Sequence, residues 1–270
     1  MKNNGITEYF EKVETEEEYN GYFCRIPEII TIAILGSMCG LKNVSQIHQW
    51  ASNDRVSEFL REKFGINHVP CYYWILCMLK MIKTETLNRC FANWVYSFMP
   101  ENAKDMTISL DGKTICSTNR IEKIESPLHI ISAQISELGL TLAQCSTDDK
   151  SNEIPAVQEL LKTLNIKGHV VVADALNCQK ETASIIVKQE ADYLLCVKDN
   201  HPVLKKDIED YVQDSMLQNT MSFISKTEKN YGRIETRTAY VTSQIEWLEQ
   251  RKEWKNLCCI GAIHTEFDTK

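Results

Sequence analysis

The sequence predicts an α/β protein: a mixed sheet with helical cover, preceded by an all-helical segment. Three observations carry this reading. Residues 26 to about 99 repeat their apolar side chains at helical spacing. From residue 106 the pattern changes to short β-prone runs separated by turn signals and helical stretches. Two of those runs, Thr107 to Leu110 and Val170 to Ala173, lead straight into aspartates, Asp111 and Asp174.

Residues 1–25 form an acidic leader. Residues 1–28 hold seven acidic and three basic side chains, so −4 of the net −7 lies there, and the Glu14–Glu18 run reads as a mobile, solvated tail. Residues 26–100 form the helical part. Asn43 can cap a short helix through Trp50. After Pro70, the residues Tyr72, Ile75, Leu76, Leu79 and Ile82 make an apolar stripe. Thr84 can cap a helix reaching Phe98, with Leu87, Phe91, Trp94, Val95 and Phe98 on one face. These stripes read as core rather than cofactor contacts. Residues 100–105 are polar, include Pro100 and mark a boundary.

The second part spans residues 105–270. Met106–Leu110, Leu128–Ser136 and Leu140–Ser146 read as strands, the last two joined by a hairpin at Glu137-Leu138-Gly139. A helix follows with Ile154, Val157, Leu160, Leu161 and Leu164 on one face, capped by Ser151 or Asn152, with Pro155 in its first turn. The unbroken apolar run of residues 170–173 suits a strand covered on both faces, as inside a parallel sheet. Asn177 can cap the next helix, Tyr193–Val197 is a strand, and Pro202 opens a helix with Leu204, Ile208 and Val212 on one side. Residues 222–242 read as a polar hairpin, with Arg233, Glu235 and Arg237 on one face of its second arm. Leu257–Ile263 is a last strand-like run.

Composition narrows the function classes. The longest apolar run, residues 26–39, is interrupted by Pro27, Glu28 and Thr31 and is too short to span a bilayer. Met1-Lys2-Asn3-Asn4 lacks a signal-peptide pattern. The eleven cysteines are scattered, mostly through apolar segments, without a C-x-x-C, which suits buried thiols in a reducing cytoplasm. The six histidines show no paired ligand spacing, so a structural zinc site is not expected.

If the strands carrying Asp111 and Asp174 are neighbours, their carboxylates stand about 5 Å apart, the spacing of adjacent strands. That separation suits a pair bridging hard divalent cations such as Mg²⁺, which in two-ion sites clamp a phosphodiester during displacement. Plainer readings exist. Asp111-Gly112 alone is a hairpin-turn signal, and Asp174 alone could cap a helix. Glu153 can serve the helix dipole in a first turn or join the metal site. The Arg233/Glu235/Arg237 face can be a solvated ion ladder.

The order of elements, with one acid on the first strand and another on the fourth, resembles the ribonuclease H-like fold: three antiparallel strands, then parallel strands with helices. The likeness extends to motifs. Asp111-Gly112-Lys113-Thr114, the 149–154 block DKSNEI, the 174–180 block DALNCQK, the 192–200 block DYLLCVKDN and the 232–237 block GRIETR resemble in order the signature blocks of H-repeat-associated bacterial insertion-sequence transposases of the DDE type. Residues 26–99 are similar to their N-terminal associated domain.

This resemblance implies a DNA strand-cleaving and strand-joining enzyme of a mobile element, working in the cytoplasm without a membrane anchor or small-molecule cofactor. It implies Asp111 and Asp174 as catalytic, metal-holding acids, two Mg²⁺ or Mn²⁺ ions, and DNA contacts from Lys113, Lys198, Asn200, Arg233 and Arg237, and it allows a homodimer. The family's third acid, a glutamate on a later helix, has no counterpart before Lys270, so the chain is expected to be C-terminally truncated and impaired, with Glu153 as a candidate substitute ligand. Tyr231 stands where relatives often carry His, His201 where they often carry Gln, and Cys71-Tyr72-Tyr73-Trp74 replaces a more polar stretch. The alternative expectation is a catalytically silent DNA-binding remnant that regulates a full-length transposase.

Overall fold

The structure, a computed structural model, describes residues 5–17, 24–99, 105–115, 128–147, 152–230 and 233–269. Its contacts divide the chain into two compact units. The first holds helices α1 (Ile6–Tyr9), α2 (Ile26–Met38), α3 (Val44–Ala51), α4 (Asp54–Phe64), α5 (Tyr72–Met81) and α6 (Thr84–Tyr96). It continues with the second half of β1 (Thr107–Ile115), then β2 (Leu128–Ile135), β3 (Leu140–Thr147) and α7 (Glu153–Thr163). The second unit starts with the first half of β1, up to Asp111. Then come β4 (Val170–Ala173), α8 (Lys180–Lys188), β5 (Asp192–Leu195), α9 (Pro202–Gln213), the short α10 (Ser215–Gln218), β6 (Ser222–Asn230), β7 (Arg233–Thr242) and β8 (Ile260–Thr269).

In the helical part, α2 is apolar nearly all round because it serves two clusters. Ile29 and Ile30 pack with Phe10, Ile75, Met78 and Cys90, while Ile32 packs with Ile47, Ala51, Leu60 and Ile66. Asn43 caps α3 as its side chain predicts, accepting from the Gln46 amide at 2.9 Å. Helix α6 starts at Thr84, with Lys83 rather than Thr84 at the cap position. The face that α5 buries is Ile75 and Met78; Tyr72, placed on the stripe by periodicity, is 42% exposed.

The leader departs from expectation. Instead of a solvated tail, residues 5–17 dock on the helices. Phe10 is fully buried, Thr15 bridges Ile82, the Glu14 amide donates to Thr86 Oγ1 at 3.0 Å, and the Glu14 carboxylate pairs with Lys83 at 3.1 Å. Leader charge dominates the sequence pattern, whereas one aromatic ring dominates the packing. Glu18 lies outside the described residues.

One sheet has the order β3-β2-β1-β4-β5. Strands β2 and β3 are antiparallel, turning through Gly139 at φ +64°, and β4 is parallel to both β1 and β5. This is the ribonuclease H-like order, with helices following β3, β4 and β5. Strand β1 does not end before Asp111 as the sequence suggested but continues through Gly112 to Ile115, so Asp111-Gly112 is not a turn. A second sheet, β6-β7-β8, accounts for the polar hairpin and adds a third strand. The expected strand at 257–263 begins later, at Ile260, and runs to Thr269 beside β7. On this sheet Ile224, Ala239 and Ile263 form one cross-strand row, and both isoleucines are solvent-exposed. Among the described residues no helix is long and apolar enough to cross a membrane.

Phe10→Ala tests the docked leader. The loss should be about 3–5 kcal/mol, the usual result of removing a buried aromatic ring, read by urea denaturation; a detached tail would show no change.

Candidate active site

The register of the parallel pair places the two acids. Thr107↔Val170, Ile108↔Val171, Ser109↔Val172 and Leu110↔Ala173 are partners, so Asp111 and Asp174 occupy adjacent positions one step beyond the last pair. Neighbouring strands lie about 4.8 Å apart. Ile108, Leu110, Val171 and Ala173 are buried, anchoring both strands, and both aspartates are exposed. Each acid therefore directly follows the last paired residue of its strand, at the carboxyl end of the parallel β1–β4 pairing, the end at which open α/β sheets place their ligands.

Asp174 is held by its own loop. Its Oδ1 accepts from the Asn177 backbone N–H at 3.2 Å and from the Asn177 side-chain amide at 3.1 Å. The expected role of Asn177 as a helix cap is thereby corrected: α8 begins at Lys180 with Gln179 before it. An Asp side chain bonding to the backbone a few residues on is a local turn motif that competes with capping. The same loop is tied to the one after β5. Asn200 Nδ2 donates to the carbonyls of Ala175 at 2.6 Å and Cys178 at 3.4 Å, and His201 Nε2 donates to the Cys178 carbonyl at 2.7 Å. The His201 ring meets Trp254 edge-on, centroids 5.2 Å apart. Burial pushes the Cys178 thiol up to about 11, which makes it packing material rather than a nucleophile.

The first unit holds a buried polar cluster that the sequence did not announce. His129, on β2, donates from Nε2 to Glu153 Oε2 at 2.8 Å, and its Nδ1 pairs with Thr114 Oγ1 at 3.0 Å. His129 and Glu153 are each only 3% exposed. The one signal was a histidine set in the apolar run Leu128-His129-Ile130-Ile131. Gly112 sits against the pair: a Cβ there would lie 2.8 Å from His129 Nε2 and 2.9 Å from Glu153 Oε2. Close approach, not turn geometry, requires glycine in the Asp-Gly-Lys-Thr block.

Lys113 and Lys198 are exposed. Arg237 is exposed and forks onto the buried Glu235, with Nε and Nη2 both 2.6 Å from Oε1. Arg233 opens β7, but its side chain, like Tyr231, Gly232 and residues 149–151, lies outside the described residues. Two adjacent exposed carboxylates are the hard oxygen donors that Mg²⁺ or Mn²⁺ takes. Among the described residues, however, no group of three or more His, Cys, Asp or Glu side chains could hold a metal ion.

Comparison with known proteins bears on both parts of the chain. Residues 7–95 match the family profile described as DDE_Tnp_1-associated, and residues 128–255 match the transposase DDE domain. The "H repeat-associated putative transposase YbfD" of Escherichia coli K12 is 31% identical over 215 residues, covering 79% of this chain and 84% of that one. "Putative transposase YncI" of the same strain is 34% identical over 222 residues, covering 81% and 88%. "Putative protein YbfL", also from that strain, is 31% identical over 255 residues; the match takes in 93% of this chain but only 65% of the relative. Among solved structures, the piggyBac transposase in a synaptic complex with hairpin DNA covers 87% of this chain and 53% of its own at 9% identity. Its TM-score is 0.32, too low to place the fold, which rests on the strand order.

Gly112→Ala should destabilise the protein by about 1–3 kcal/mol, the range for overpacking. Chemical denaturation should also show a smaller effect of this change in a Glu153→Ala background, since contacting positions couple.

Proposed function

The chain belongs to the H repeat-associated family of DDE transposases, and we propose that it acts on DNA by metal-dependent strand cleavage and joining at the ends of a mobile element. The observation that supports this reading is the β1–β4 register, whose last pair, Leu110↔Ala173, directly precedes Asp111 and Asp174. In this reading the two carboxylates hold the divalent ions. When bound, Mg²⁺ or Mn²⁺ supplies charge neutralisation at the attacking and leaving oxygens of the phosphodiester. The protein's part is positional. Asn177 fixes the Asp174 carboxylate, while exposed Lys113 and Lys198 offer cations to the DNA backbone, the chief source of DNA affinity. Arg233 and Arg237 extend that role to the second sheet. Glu153, whose Oε2 takes the His129 proton donor, is read as holding the fold rather than the ions.

A second reading has its own support. No third carboxylate joins the aspartate pair among the described residues, and two carboxylates hold two ions weakly. The isolated chain then binds DNA while transferring strands poorly, as a silent regulator of a complete enzyme would. A cytoplasmic setting suits both readings.

Incubation of the purified chain with labelled duplex carrying its element's terminal sequence, in Mg²⁺ or Mn²⁺, separates them. Nicking or joining lost in Asp111→Asn and Asp174→Asn supports the enzyme. Salt-sensitive, end-specific binding with no strand breakage supports the regulator.

A further inference from the structure

We propose that Asn177, Asn200 and His201 are positioning residues that set the Asp174 carboxylate for its cation; this rests on the metal reading of the aspartate pair. Asp174 follows the last paired residue of β4, and strand pairing by itself leaves the direction of its side chain open. What fixes it is Asn177, nearly fully buried and donating twice to the same oxygen, Oδ1. A side chain so held loses rotamer freedom before a cation arrives.

Asn177 is in turn only as well placed as the 174–179 loop. Two neighbouring residues clamp that loop from the β5 side. Asn200 reaches the carbonyls of Ala175 and Cys178, one on each side of Asn177. His201 adds a second donor to the Cys178 carbonyl, while its ring is backed by Trp254, itself part of a core with Cys178, Ala183, Leu204, Ile245 and Ile260. The clamp thus runs from packed core, through an imidazole and an amide, to the loop that orients the acid. Asn200, expected from the resemblance to touch DNA, has its amide occupied with main-chain carbonyls. Groups that orient metal ligands typically change affinity by about 10–100-fold when removed.

The test is Mn²⁺ affinity of the full chain, followed by loss of the free-ion EPR signal, with circular dichroism and thermal melting as fold controls. Asn177→Ala should weaken Mn²⁺ binding by about tenfold, and Asn200→Ala and His201→Leu should weaken it several-fold. His201→Gln should bind as wild type, because its amide can donate to the same carbonyl. Asn200 is exposed, so its substitution leaves the core intact and keeps the test valid if His201→Leu folds poorly. Unchanged affinity in Asn177→Ala and Asn200→Ala, with Asp174→Asn defective, would overturn the inference and spare the metal site. Equal losses in His201→Gln and His201→Leu would overturn the role of that bond. Wild-type affinity in Asp174→Asn would instead remove the metal reading itself.

Discussion

The pairing of Leu110 with Ala173 is the constraint on which the proposed chemistry depends. Parallel pairing requires matched registers, and a slip of one residue turns side chains to the opposite face. Here the register is enforced by apolar residues, Ile108 and Leu110 against Val171 and Ala173, all buried. Burial thus decides where two charged groups stand, although the charged groups contribute nothing to that burial. The aspartates mark the point where β4 leaves the ladder while β1 goes on.

A different economy governs the other half of β1. Past Asp111 the strand lies against a histidine and a glutamate almost wholly removed from water. Polar groups at such depth persist only with partners, and leaving one unsatisfied typically costs about 1–3 kcal/mol. The Thr114 hydroxyl on the other imidazole nitrogen gives both nitrogens a partner. Within a few residues one strand therefore presents an exposed acid, Asp111, and packs against a buried one, Glu153.

Much of this was legible in the chain. Unbroken apolarity marked β4 as a central strand, and the Gly139 hairpin fixed β2 and β3. What stayed hidden depended on partners distant in sequence. Glycine after Asp111 looked like a turn because its reason lies in His129 and Glu153. Asn177 looked like a cap because the competing acceptor, Asp174, could not be weighed against free helix amides. The docked leader was obscured because charge dominates its composition while Phe10 supplies its burial. The second half of β8, past Ile263, escaped for a similar reason: its polar residues gain stability from pairing with β7 rather than from an apolar pattern.

Gly112 carries a consequence for descent within the family. The space a methyl group would need is already filled by an imidazole and a carboxylate, so no side chain can be gained there unless one of those two shrinks. The three positions form a single packing unit, and lineages that drift at one should show compensating change at the others. Since Gly112 directly follows Asp111, that unit also limits how freely the backbone under the first acid can vary over evolutionary time.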